Sequence, residues 1–80
     1  MNLNTEFFEE LDLLNLFNLR NEQEGLKIHH EATPGRIAAA QRLYQKNMIT
    51  LEDGGFLTPL GMEAAELAQS LVAMLRGHAH

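Results

Sequence analysis

Apolar residues at the start of the chain recur with the spacing of one helix face. They stand four, three and three residues apart: Phe7, Leu11, Leu14 and Phe17. This period is typical of an amphipathic helix. Asn4 or Thr5 can cap its start, and Glu6 lies in the first turn, where a carboxylate stabilises the helix dipole. We therefore predict a first helix whose stripe of large side chains faces the core.

Two further helix starts follow. Asn21 and Glu24 have the spacing of a capping box, which predicts a short second helix over about 22–30, although Gly25 within it is a poor helix former. Thr33 followed by Pro34 is a strong start signal, and it predicts a third helix over about 34–47. The spacing assigns to the buried face of this helix Ile37, Ala40, Tyr44 and Met48, with Leu43 beside them.

A hairpin and a last helix complete the pattern. The short apolar runs 48–51 and 56–58 flank Glu52-Asp53-Gly54-Gly55, a sequence that favours a tight turn between two strands. Thr58-Pro59 opens a fourth helix, and Gly77 is suited to end it. We predict that this helix packs on the core through a stripe that Ala68 and Val72 widen and whose main members are Leu60, Ala64, Leu67, Leu71, Met74 and Leu75.

The order of these elements resembles that of bacterial winged-helix regulators. The resemblance covers about 22–76 and lies in Thr33–Ala40, Leu43–Thr50 and Phe56–Ala65, which are similar to the recognition helix, the wing passage and the helix that follows. Asn47 stands where those proteins usually have glycine. The resemblance implies one mainly α domain over 1–80, with a winged helix-turn-helix-like fold of four helices and one two-stranded β-hairpin, the wing.

The whole chain also resembles a family of uncharacterised gamma-proteobacterial proteins of about this length. The matching features are the stretch Gln23-Glu24-Gly25, the pair His29-His30 and the turn Asp53-Gly54-Gly55. This resemblance implies no activity, because the family has no established one.

The net charge of the chain is −5, but the charges are unevenly distributed along it. The segment 32–51 carries three cations and no acid, whereas the rest of the chain carries all eleven acids and three cations. A local basic face on an acidic body is typical of a nucleic-acid contact. If the third helix is a recognition helix, the predicted contacts to double-stranded DNA are Arg36, Ala39, Arg42, Gln45 and Lys46. The alternative is an ordinary solvated helix face.

The predicted wing favours a second hypothesis. Its tip carries Glu52 and Asp53, and carboxylates beside phosphates weaken DNA binding. A protein-protein interaction module that keeps the winged-helix shape and has no DNA role is therefore the alternative function, and its partner protein is not readable from the sequence.

Composition argues against other classes. Ser70 is the only serine, there is no cysteine, and Gly54-Gly55 lacks the lysine of a phosphate-binding loop, so we expect neither an enzyme nor a cofactor. Adjacent His29 and His30 point apart on a helix, and with the tail histidines His78 and His80 they do not predict a metal site. No apolar run reaches membrane-spanning length, and the N-terminus lacks a secretory pattern, so we expect a cytoplasmic protein.

Apolar residues that lie off or at the edge of the predicted stripes suggest a homodimer. Leu13 and Leu16 lie off the first stripe, and Ala65 and Val72 border the last one. A small domain has a marginal core, so association through such residues would stabilise it. The alternative is that one compact core uses them all.

Overall fold

The computed structural model describes residues 3–77 of the chain. Within that range the elements are α1 (Thr5–Leu14), β1 (Leu26–Lys27), α2 (Pro34–Gln45), β2 (Ile49–Leu51), β3 (Gly54–Leu57) and α3 (Pro59–Leu75). The strands form one antiparallel sheet in the order β1-β3-β2. The predicted four-helix, winged helix-turn-helix-like fold with a two-stranded wing is therefore wrong, since the described residues hold three helices and three strands.

The error lies in the segment 22–30, where β1 replaces the predicted second helix. The Asn18 and Asn21 side chains accept backbone N–H bonds two residues ahead, so each forms a local turn instead of a helix cap. Leu26 then pairs with Gly55, and the Ile28 N–H donates to the Asp53 carbonyl at 2.8 Å. This pairing joins residues far apart in sequence, so the local pattern of the segment contains no sign of it.

The predicted hairpin is present. β2 pairs with β3 around the turn at 52–53, with an irregular register between Ile49 and Leu51. Gly54 and Gly55 have φ angles of 125° and 80°, which glycine adopts without strain. The predicted turn is therefore confirmed at 52–53, whereas Gly54 and Gly55, which were predicted to belong to the turn, are the first residues of β3.

All three helix starts agree with the predicted caps. The side chains of Asn4, Thr33 and Thr58 accept the N–H of the residue three positions ahead. Two helices end earlier than the sequence predicts: α1 ends at Leu14, and α2 ends at Gln45. Asn47 follows α2 with a φ of 63°, a left-handed conformation that asparagine tolerates and that turns the chain into β2.

The core lies where α1 packs against α2 and α3, with the sheet closing one end. Its buried apolar members are Leu13, Leu14, Phe17, Ile28, Ala39, Ala40, Leu43, Ile49, Ala65 and Ala68. Two predicted faces are rotated from the observed ones. Phe7 and Tyr44, expected inside, are exposed, whereas Glu10 and Ala39 are buried. Among the described residues, no helix is both long enough and apolar enough to cross a membrane.

The orientation of α3 is the largest departure from the sequence prediction. The face that packs on the core consists of the small residues Gly61, Ala65 and Ala68. A Cβ atom on Gly61 would lie 1.8 Å from the Met48 carbonyl oxygen, so only glycine permits the approach of α3 to this backbone. The predicted core stripe faces solvent instead. Its exposed members are Leu60, Leu67, Leu71, Met74 and Leu75.

Candidate functional site

The cations predicted to contact DNA lie at the interface of α1 and α2. Arg42 donates from Nε to the Glu10 carboxylate at 2.7 Å, and Lys46 donates from Nζ to the other Glu10 oxygen at 2.5 Å. Glu10 is only 8% exposed, so these two cations balance most of its charge. A buried carboxylate is stable only when it is paired in this way.

Two weaker contacts extend this network. The Arg42 guanidinium donates to the Glu6 carbonyl at 3.2 Å and lies 3.7 Å from the Glu6 carboxylate. Arg36, in the first turn of α2, donates to Asp12 at 3.0 Å. α1 thus supplies an acid to each of the two arginines of α2 and to Lys46, the C-cap of that helix. We name Glu10, Arg42 and Lys46 the Glu10 network.

The pKa shifts reflect this arrangement. Burial alone would raise the pKa of Glu10, but the hydrogen bonds from Lys46 and Arg42, with their charges, outweigh burial and hold the pKa of that carboxyl below its ordinary value. The hydrogen bond to Glu10 in turn raises the pKa of Arg42. Glu10 is therefore charged at neutral pH and holds both cations.

The other residues of the predicted DNA face are divided between core and surface. Ala39 is fully buried, so the prediction that it contacts DNA is wrong. Gln45 is exposed near the end of α2. Of the predicted face, only Gln45 is both exposed and without an ion-pair partner among residues 3–77. The sequence could not indicate that the cations are paired, because each ion pair of Arg36, Arg42 and Lys46 joins positions more than twenty residues apart.

The tip of the hairpin is less acidic than the sequence suggests. Lys27 of β1 forms an ion pair with Asp53, and this hydrogen bond lowers the pKa of the Asp53 carboxyl. Glu52 beside it is exposed. β1, the strand that the sequence pattern did not predict, therefore brings one cation, Lys27, to the turn.

The predicted dimer residues do not form one surface. Leu13 and Ala65 are fully buried in the core of a single chain, so assigning them to an interface between chains is wrong. Leu16 is 45% exposed, and Val72 is half-buried. Packing within the monomer therefore explains the positions of Leu13 and Ala65, whereas Leu16 is largely exposed.

A different apolar surface is exposed, and it is the side of α3 that was predicted to face the core. Leu60, Leu67, Leu71 and Met74 lie along one side of α3 with Ala64 half-buried among them. We name these five residues the α3 stripe. Leu67 is 67% exposed and Met74 is 72% exposed. Their spacing of four, three, four and three residues was visible in the sequence, but spacing alone does not show whether a stripe faces the core or a partner.

The two histidines within residues 3–77 do not belong to a metal-binding cluster. His29 and His30 are exposed, and the nearest partner of His30 is Glu31 at 3.8 Å. Over residues 3–77, no three side chains of the metal-binding types come together. His78 and His80, considered above as ligands, lie outside the described residues.

Comparison with known proteins gives a family but no function. No curated protein and no solved structure is significantly similar to the chain. The family model of unknown function DUF5669 matches residues 1–76, which is nearly the whole chain. The chain therefore belongs to the family of unknown function DUF5669.

Proposed function

We propose that this protein is a protein-protein interaction module that does not bind DNA through α2. The observation that carries the proposal is the Glu10 network, in which Arg42 and Lys46 are both bound to one buried carboxylate of the same chain. To bind Arg42 and Lys46, the phosphates of DNA would have to compete with the Glu10 carboxylate. The α3 stripe is the surface that supports the protein-binding role.

The energetic cost of releasing the cations is large compared with the gain. Leaving a buried carboxylate without its partners costs about 3–5 kcal/mol. Non-specific DNA binding by a whole protein is worth roughly 5–8 kcal/mol at physiological salt. Moving Arg42 and Lys46 from Glu10 to phosphates would therefore offset a large part of the binding free energy.

The remaining charges also disfavour a polyanion. Six acids form no ion pair with any other described residue: Glu9, Glu22, Glu24, Glu52, Glu63 and Glu66. The net charge of −5 adds a general repulsion toward DNA. Contiguous exposed apolar residues on an acidic surface are typical of a site for another protein.

A salt-titrated anisotropy assay with duplex DNA tests the first half of the proposal. The wild-type protein should show no binding at about 150 mM salt. Glu10→Gln should bind detectably at low salt, because it frees Arg42 and Lys46. Glu6→Gln removes the same charge from an exposed site, so it is the matched control and should bind no better than wild type. Wild-type binding that is lost in Arg42→Ala would refute the proposal.

Site-specific photo-cross-linking in living cells tests the second half. A photoreactive residue replacing Ser70, which borders the α3 stripe, should form a covalent product with a protein. The same residue replacing Glu52 on the hairpin is the control and should give none. Equal yields at the two positions, or no product at Ser70, would show that the stripe is not an interaction surface.

A further inference from the structure

We infer that the α3 stripe is the self-association surface of this protein, and that its occupant is the α3 stripe of a second copy, running antiparallel. This inference rests on the proposed interaction role and names the partner. The first observation is the spacing of the stripe. Positions 60, 64, 67, 71 and 74 alternate intervals of four and three residues, which is the heptad pattern that fits a neighbouring helix lying alongside.

The shape of the stripe suits another stripe of the same kind. α3 has 17 residues, so it is about 25 Å long and presents the whole stripe along one side. The half-buried Ala64 leaves a gap between Leu60 and Leu67, and a large side chain of a second helix can enter it. The stripe has no charged member, so two copies can meet without burying an unpaired charge.

Charge sets the orientation. Glu63 and Glu66 lie in the first half of α3, and Arg76 is the C-cap that follows its last turn. In a parallel pair, each glutamate of one helix would lie level with the same glutamate of the other helix, and the two charges would repel each other. An antiparallel pair in which Leu60 lies level with Met74 of the second copy sets the two Glu63 residues about 12 Å apart along the axis and brings each of them nearer to Arg76 of the other copy.

The exposed area is sufficient for a weak dimer. Leu60, Leu67, Leu71, Met74 and the adjoining Leu75 are each between 46% and 77% exposed. A leucine side chain that passes from full exposure to full burial loses about 120 Å² of accessible surface. The exposed fractions of these five side chains therefore correspond to on the order of 400 Å² of apolar surface per chain. Because homodimer interfaces are about 65% apolar, the pair would bury roughly 1,200 Å² in total, the lower bound for a stable specific interface.

The expected result is a reversible dimer in the micromolar range. Sedimentation equilibrium from about 1 to about 200 µM should give a mass that rises toward twice 9.0 kDa, with a dissociation constant on the order of 10 µM. Leu71→Glu and Met74→Glu should each remain folded by circular dichroism and stay monomeric at every concentration. Both side chains are exposed, so neither substitution disturbs the core of the monomer.

Leu16→Glu is the matched control. Leu16 is 45% exposed and Leu71 is 46% exposed, but Leu16 follows α1 and is no part of the stripe. The control should dimerise as wild type does. A Leu16→Glu protein that is monomeric, with Leu71→Glu still dimeric, would overturn the inference.

Cysteine cross-linking tests the orientation, and the chain has no cysteine of its own. A mixture of Leu60→Cys and Met74→Cys proteins should form the mixed disulfide in preference to either homotypic one. Preferential Met74→Cys homodimers would indicate a parallel pair and overturn the antiparallel assignment.

The outcomes separate this inference from the proposed function. A wild-type protein that is monomeric at all concentrations, while the photoreactive residue at Ser70 captures a different protein, overturns self-association and leaves the interaction role standing. A monomer with no cross-linked product at Ser70 refutes both.

Discussion

Glu10→Gln should destabilise the fold far more than Glu6→Gln. Both changes remove one negative charge from α1, and both residues face Arg42. Glu10 is buried and accepts hydrogen bonds from Arg42 and Lys46, whereas Glu6 is mostly exposed and lies 3.7 Å from the guanidinium. The comparison therefore isolates what a buried pairing contributes at constant net charge.

The magnitude follows from the contacts. A hydrogen bond to a charged group contributes about 1.5–3 kcal/mol, and glutamine keeps one acceptor oxygen, so Glu10→Gln should lower the free energy of unfolding by about 2 kcal/mol. An exposed pair contributes less than about 1 kcal/mol, so Glu6→Gln should lower it by about 0.3 kcal/mol. The stability of an 80-residue domain is about 4–12 kcal/mol, so the first change is a large fraction of it.

Urea unfolding followed by circular dichroism measures both values. With a slope near 1 kcal/mol per molar urea, Glu10→Gln should shift the midpoint by about 2 M. Equal shifts for the two variants at pH 7 would refute the reasoning, because they would show that the buried carboxylate contributes no more than an exposed one.

The pH dependence gives a second check on the cause. The pKa of Glu10 is lowered in the folded state, so its contribution is fully present above the ordinary value of 4.5 and is lost as the pH falls through the folded value. The stability difference between wild type and Glu10→Gln should therefore shrink below about pH 4.5. A difference that persists unchanged at pH 3 would assign the effect to packing instead of charge.

Two backbone predictions follow from the turns and the helix packing. Gly61→Ala should lower the free energy of unfolding by at least about 2 kcal/mol, since its Cβ would overlap the Met48 carbonyl. Gly35→Ala is the control, because its Cβ would meet the end of the flexible Glu9 side chain, and it should change the free energy of unfolding by less than about 1 kcal/mol. Urea unfolding measures both values. Equal losses for the two variants would contradict the close approach of α3 to the Met48 backbone. Asn47→Gly should leave the stability equal or higher, and Asn47→Ala should lower it by about 1 kcal/mol, because the φ of 63° is left-handed; a more stable alanine variant would disprove that conformation.

What the sequence determined by itself is where the three helices start and where the hairpin turns. Asn4, Thr33 and Thr58 cap the helices as predicted, because a cap depends only on the residues of one turn. The turn before Gly54 and Gly55 was found for the same reason. The expected similarity to a small uncharacterised family also agrees with the family match.

The tertiary structure alone decided the rest. β1 exists because Leu26 and Lys27 meet the edge of β3, and the capping-box spacing of Asn21 and Glu24 gives no hint of that distant partner. Nothing in the sequence showed that Arg36, Arg42 and Lys46 are paired, because the acids that bind them lie on another helix, α1.

The face of α3 was decided in the same way. A periodic stripe of leucines indicates that one side of a helix is apolar, but it does not indicate what covers that side. α3 approaches the Met48 backbone so closely that only Gly61 fits there, and Ala65 and Ala68 continue the same small face into the core. Steric fit between elements thus placed the small residues inside and left the large apolar side chains of the α3 stripe exposed.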